Sequence, residues 1–180
     1  MNAIYRSHRH KIGTTQDAYR FGYLMQDVRV TYKHDIKMTI GDILIDAKEG
    51  DISSIPRWLA KTLVEEETIE IQDYDISAYI SRALNRERIA RPHDLSGIDP
   101  DFYIRVHDYL EGLKEKERET ITISLITFVA SRLEKIVKLA AASPLTAELE
   151  SRLSVEEREL YLLIHNYSLE FKQKVLKKFG

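Results

Sequence analysis

The hydrophobic periodicity of this 180-residue chain changes once, near residues 72–76, and this change constrains the fold more than any other feature. Before it, apolar Val28, Val30 and Tyr32 alternate with polar residues, which is the period of a half-buried strand. After it, apolar residues recur at three- and four-residue steps, the period of an amphipathic helix. The sequence therefore predicts an α+β protein, with a small β-rich N-terminal domain followed by a larger all-helical bundle domain.

The same patterns divide the chain into three segments. We predict a basic N-terminal arm at 1–23, a small β-rich domain at 24–72 and a helical domain at 74–179. The arm has a single acidic residue, Asp17, against four basic ones: Arg6, Arg9, Lys11 and Arg20.

Within the β-rich domain, short strands and one helix alternate with turns. Two strands are predicted at Ile36–Ile40 and Ile43–Asp46, across a turn at Gly41–Asp42. Ser53–Pro56 resembles a helix start, with a serine as cap and a proline in the first turn. Thr68–Ile71 alternates again and predicts a returning strand.

The helical domain contains several helix-start signals. Asp75 can cap a first helix, and Asp99–Pro100 supplies a cap with a first-turn proline for the next. Residues 121–140 form a long amphipathic stripe. Ser154–Glu157 matches a capping box, in which serine and glutamate each satisfy an unpaired backbone amide of the last helix.

The last helix is apolar on two faces. Five apolar residues share one face, and three leucines share a second face at seven-residue spacing: Leu160, Ile164, Tyr167, Phe171 and Val175, then Leu162, Leu169 and Leu176. Four helices can cover only part of one another, so we expect a partner subunit to cover the remainder. The predicted subunit interface comprises Leu162, Leu169, Leu176, Tyr109 and Tyr167, since tyrosine suits interfaces.

Composition excludes several kinds of chemistry. The chain has no cysteine, so disulfides, thiolate nucleophiles and cysteine metal sites are ruled out. The phosphate-binding and nucleophile-elbow motifs of common enzymes are missing. No run of about 18 apolar residues occurs, so we expect no membrane span and a cytoplasmic location. We therefore predict a protein that is not an enzyme and that needs no cofactor and no metal.

Two groups of side chains are candidate metal or catalytic sites. His8 and His10 could share a metal if His34 came near, and Glu65–Glu67 could do acid–base work, hold a divalent ion or dock a basic partner. Solvated surface residues are the favoured interpretation for both groups.

Basic residues offer an alternative function. Arg132, Lys135 and Lys138 recur every three residues and are predicted on a solvated face opposite the apolar stripe. The N-terminal arm and the lysines of 172–178 could instead make the chain a nucleic-acid-binding module, whose binding would fall steeply with salt. A formal net charge of only −2 gives this alternative little general support.

Several segments resemble the GINS family of DNA replication factors, in the archaeal-type subunit class whose small β domain comes first. The small-domain motif comprises Pro56, Trp58, Leu59, Ala60 and Leu63, and the motif that opens the helical domain comprises Asp99, Pro100, Phe102 and Tyr103. Arg132–Ala140 and Leu153–Arg158 resemble later helices of the family. The resemblance spans about residues 25–170, in the same order.

This resemblance implies a non-enzymatic scaffold of the replisome. Family members assemble as homo- or hetero-tetramers of GINS subunits, and the complex binds and activates the MCM helicase. It also binds a RecJ-like protein and can contact polymerase or primase, with at most weak or indirect contact to DNA. A helicase accessory factor of this kind is expected to be associated with the nucleoid of a prokaryotic cell.

Overall fold

The computed structural model describes residues 16–72 and 75–177, and these residues have the predicted α+β architecture. They divide into two compact units. The β unit is Arg20–Asp75, and the helical unit is the rest of the described chain, 16–19 and 76–177. Helical residues 16–24 (α1) include the end of the expected N-terminal arm, and the remainder of that arm lies outside the described residues.

The β unit contains a three-stranded and a two-stranded antiparallel sheet. The first has the order β4–β1–β5, with β1 at Asp27–Tyr32, β4 at Ile52–Pro56 and β5 at Ile69–Ile71. The second pairs β2, Ile36–Ile40, with β3, Ile43–Ala47. The predicted alternation is confirmed in β1, because its second, fourth and sixth residues are buried.

A short helix covers the buried face of these strands. Helix α2, Arg57–Glu65, buries Leu59, Ala60 and Leu63 in one core with the β1 valines. The buried Arg57 guanidinium also lies 4.5 Å from the centre of the Tyr23 ring, a cation–π distance. The hairpin turn before β3 uses Gly41 at a φ of +57°, a conformation that glycine adopts without steric cost.

The prediction that a serine of 53–56 caps this helix is wrong, because the N-cap residue is Pro56 and no side chain bonds to the cap. Ser53 lies in β4 opposite Val30, and its hydroxyl is 2.9 Å from the Tyr32 hydroxyl. A residue before proline avoids the helical region, so Ile55 continues the strand and the helix begins only after Pro56.

The helical unit contains five further helices among the described residues. They are α3 Asp75–Ile89, α4 Phe102–Glu111, α5 Glu115–Ala142, α6 Ala147–Glu150 and α7 Val155–Leu176. Two apolar clusters form its interior. One joins α3, α4 and the first half of α5 around Phe102 and Phe128, and the other joins α5 and α7 around Ile136 and Tyr161.

Two predicted helix starts can be compared with this structure. The capping box at Ser154 is confirmed, since the Ser154 and Glu157 side chains bond each other's backbone amides. The start at Asp99–Pro100 is two residues too early, because α4 begins at Phe102 after Asp101. The Asp99 carboxylate accepts a hydrogen bond from the Tyr79 hydroxyl at 2.9 Å, and the Pro100 carbonyl accepts one from the Val155 amide.

Leu63 and Val64 are neighbours on α2 that differ in burial, so they make a matched pair for testing the β-unit core. The Leu63 side chain is 1% exposed and that of Val64 is 40% exposed. We expect Leu63→Ala to lower the free energy of unfolding by about 2–5 kcal/mol, and Val64→Ala to change it by about 0.5 kcal/mol or less. Urea unfolding followed by fluorescence of Trp58 measures both, and equal effects would contradict the packing described.

Candidate protein interaction surface

A buried arginine organises the interior of the helical unit. The Arg132 side chain on α5 is fully buried, and its Nε and Nη2 donate to the two carboxylate oxygens of Glu157 at 2.6 and 2.7 Å. Its Nη1 donates to Glu87 Oε2 at 2.7 Å. The backbone carbonyls of Ser96 and Arg152 accept further hydrogen bonds at 2.8 and 3.1 Å. This planar fork thus contacts two acids on different helices, a geometry that lysine cannot reproduce.

The carboxylates of Glu87 and Glu157 accept further hydrogen bonds. Glu87 on α3 also accepts from Lys135 Nζ at 2.6 Å and from the Ser96 hydroxyl at 2.8 Å. Glu157 accepts from the Tyr103 hydroxyl at 2.7 Å while it also caps α7. Two cations and two anions therefore balance inside one cluster, which we call the ion cluster: Glu87, Arg132, Lys135 and Glu157.

The prediction that Arg132 and Lys135 lie on a solvated face is wrong, and only Lys138 of that trio is exposed. Arg132 lies four residues after Phe128 and four before Ile136, so all three share the buried face of α5. That spacing was readable in the sequence, whereas the acids that neutralise the arginine come from other helices.

The contacts within the ion cluster shift the pKa values of Glu87 and Arg132. Burial raises the pKa of Glu87, but hydrogen bonds from Lys135 and Ser96 and the charge of Arg132 outweigh burial and hold it below the ordinary value. Burial lowers the pKa of the Arg132 guanidinium, but the hydrogen bonds and charge of Glu157 outweigh it and raise that pKa. Glu87 and Arg132 are thus charged at neutral pH, and each carboxylate of the cluster has a basic side chain beside it.

Removing the arginine would leave Glu157 without a cation in the interior. We expect Arg132→Met to lower the free energy of unfolding by about 3–5 kcal/mol, the range for breaking a buried ion pair by removing one partner. Lys138→Met, two turns along the same helix but exposed, is the control and should cost about 0.5 kcal/mol or less. Denaturant unfolding measures both. A cost of about 1 kcal/mol or less for Arg132→Met, which is the value of a surface ion pair, would contradict the role of the cluster.

The lowered pKa of Glu87 predicts loss of stability in acid. A carboxyl whose folded pKa is depressed adds stability above its unfolded pKa of about 4.3, and this contribution disappears as the pH falls through the folded value. We therefore expect Glu87→Gln to be clearly less stable than the natural chain at pH 6, and the difference to shrink near pH 3.

Urea unfolding at both pH values measures this difference. Glu134→Gln changes an exposed carboxylate on α5 and is expected to have little effect at either pH. A gap between Glu87→Gln and the natural chain that stays constant with pH would contradict the ionised state of Glu87.

Apolar side chains remain uncovered on α7. Leu162, Leu169 and Leu176 are 43%, 47% and 69% exposed, and Tyr167 is 47% exposed. Phe171, which shares the other face of α7 with Tyr167, is 67% exposed. Large apolar side chains grouped on one helix face of an isolated chain are typical of a surface that another protein covers.

A second uncovered face lies on α5 and was not predicted. Its side chains recur at three- and four-residue steps over roughly 21 Å of helix. These exposed residues are Ile123, Ile126, Val129, Leu133 and Val137. Val129 and Leu133 lie within the amphipathic stripe predicted for residues 121–140, yet both are exposed. We refer to the exposed faces of α5 and α7 together as the apolar faces.

The two sequence motifs and the predicted interface residue Tyr109 can also be located in the structure. In the small-domain motif Leu59, Ala60 and Leu63 are buried, and Trp58 is partly buried against the same core. Phe102 is fully buried with its ring 5.4 Å from that of Phe128. Tyr109 was predicted at the subunit interface, but it is partly buried against the α3–α5 cluster of its own unit.

The structure does not bring the weighed catalytic or metal candidates together. His8 and His10 lie outside the described residues, and His34 and Glu65–Glu67 are exposed. Within residues 16–72 and 75–177, no three His, Asp or Glu side chains are grouped so as to hold a metal ion.

No protein-family model matches this sequence, and no curated protein matches it. Over the part of the chain that the structure describes, no helix is both long enough and apolar enough to cross a membrane.

Proposed function

We propose that this chain is a scaffold subunit that associates with other subunits through the apolar faces of α5 and α7 and acts without catalysis. The observation that carries the proposal is the exposure of Leu162, Leu169 and Leu176 along one face of α7, a helix that packs on α5 through Tyr161 and Ile164. Burying such side chains between subunits stabilises association in proportion to the apolar area removed from water.

The resemblance to GINS subunits supports a more specific form of this proposal. The small-domain motif around Trp58 forms the core of the β unit, and the motif around Phe102 forms the core of the helical unit. The order of a small β unit before a helical unit agrees with the subunit class suggested by the sequence. We propose a GINS-type replication scaffold in the cytoplasm, with other GINS subunits, the MCM helicase and a RecJ-like protein as partners.

Such a subunit would act by linkage rather than by chemistry. A scaffold that binds the active conformation of a helicase more tightly than the inactive one shifts the population toward activity. The shift cannot exceed the difference between its two binding free energies.

A substitution at Leu169 tests whether this face of α7 is a subunit interface. We expect Leu169→Glu to convert an oligomer into single chains, because a carboxylate buried between subunits would lose its hydration. Light scattering gives the mass, and circular dichroism should show unchanged helix content because Leu169 is already exposed in the isolated chain.

Thr39→Glu adds the same charge at an exposed strand position and should leave the mass unchanged. A natural chain that is a single particle at high concentration, or an oligomer insensitive to Leu169→Glu, would overturn this interface. Affinity purification of the tagged chain from its native cell tests the GINS form separately, and capture of no replication protein would reject that form alone.

A further inference from the structure

The exposed face of α3 carries arginines that have no acidic partner among the described residues. Arg82 and Arg86 are both exposed and lie one helical turn apart. Some exposed basic residues elsewhere in the helical unit pair with an acid four residues away, as Lys138 does with Glu134 and Lys174 with Glu170. Arg82 and Arg86 instead have each other at that spacing, which destabilises a helix. Arg86 lies in the last turn of α3, where a cation suits the helix dipole, but Arg82 lies outside that turn.

The two arginines line a small crevice. It has a volume of about 70 Å³ and separates α3 from the segment that precedes α4, whose Gly97 and Ile98 form part of its lining. Apolar Ala83 and Phe102 also line it. One acid, Asp99, is present, and its carboxylate accepts the Tyr79 hydroxyl at 2.9 Å. The crevice thus places two arginines beside apolar lining residues, in a space large enough for a small aliphatic group.

An exposed isoleucine extends this face. Ile89 is 80% exposed, the highest value among the large exposed apolar side chains of the described chain. It follows Arg86 by three residues and Arg82 by seven, so all three side chains lie along one side of α3.

We propose that this side of α3 docks an acidic peptide segment of a partner protein. Carboxylates of the segment pair with Arg82 and Arg86, and aliphatic side chains beside them contact Ile89 and the crevice. Charge complementarity favours an acidic partner. A protein is favoured over a nucleic acid because phosphate gains nothing from Ile89, and the net charge of −2 supplies no general attraction for a polyanion.

This site is distinct from the apolar faces. It depends on α3 and the segment before α4, whereas the proposed subunit contact depends on α5 and α7. Loss of peptide binding at α3 therefore leaves subunit association through α5 and α7 intact. Different experiments would thus reject the two proposals.

The test is selection of random twelve-residue peptides displayed on phage against the full-length chain. The double variant Arg82→Glu/Arg86→Glu serves for counter-selection. We expect the enriched peptides to carry Asp or Glu next to aliphatic residues. The best synthetic peptide should bind the double variant at least tenfold more weakly, and binding should weaken as salt is raised.

Lys114→Glu/Arg118→Glu provides the control, because it reverses two exposed charges four residues apart on another part of the unit. It should bind the selected peptide as the natural chain does. A fluorescent oligothymidylate is tested in parallel. Enriched peptides without acidic residues, binding unaffected by Arg82→Glu/Arg86→Glu, or oligothymidylate bound through these arginines in place of peptide would each overturn the proposal.

Discussion

Arg132 connects three helices of the helical unit through one guanidinium group. It reaches Glu87 on α3 and Glu157 on α7 from its own position on α5. Interactions of this kind are strong in a poorly polarisable interior, yet they repay the loss of hydration only when every donor and acceptor is matched. Here Lys135, Ser96 and Tyr103 complete the set. The relative positions of these helices are thus specified by directional bonds as well as by apolar packing.

This arrangement also explains why α5 and α7 can keep apolar faces uncovered. With the inward side of α5 fixed at Arg132, Phe128 and Ile136, the opposite side is not needed for the fold of the isolated chain. Its isoleucines and valines are then available for a partner. The exposed Arg82 and Arg86 of α3 lie outside the ion cluster, so they are also available for contact with a partner.

Much of the fold could be predicted because local patterns decide it. Alternation predicted β1, and reciprocal hydrogen bonding predicted the start of α7 at Ser154. Two helix starts were predicted at the wrong residues. In both cases a residue distant in sequence bonds a side chain that was expected to cap the helix. Ser53 pairs with β1 instead of capping α2, and Asp99 accepts a hydrogen bond from Tyr79 instead of opening α4. The leucines of α7 were identified from spacing, but the burial of Arg132 depends on Glu87 and Glu157, which are distant in sequence.

The strand order of the β unit has a consequence for synthesis on the ribosome. β1 is the central strand, yet both of its neighbours, β4 and β5, follow it in the chain, and β5 ends at Ile71. Until that residue leaves the exit tunnel, one edge of β1 has no partner and can pair with other nascent chains. Completion of this sheet during translation must therefore wait for its last strand, although its first strand emerges about forty residues earlier.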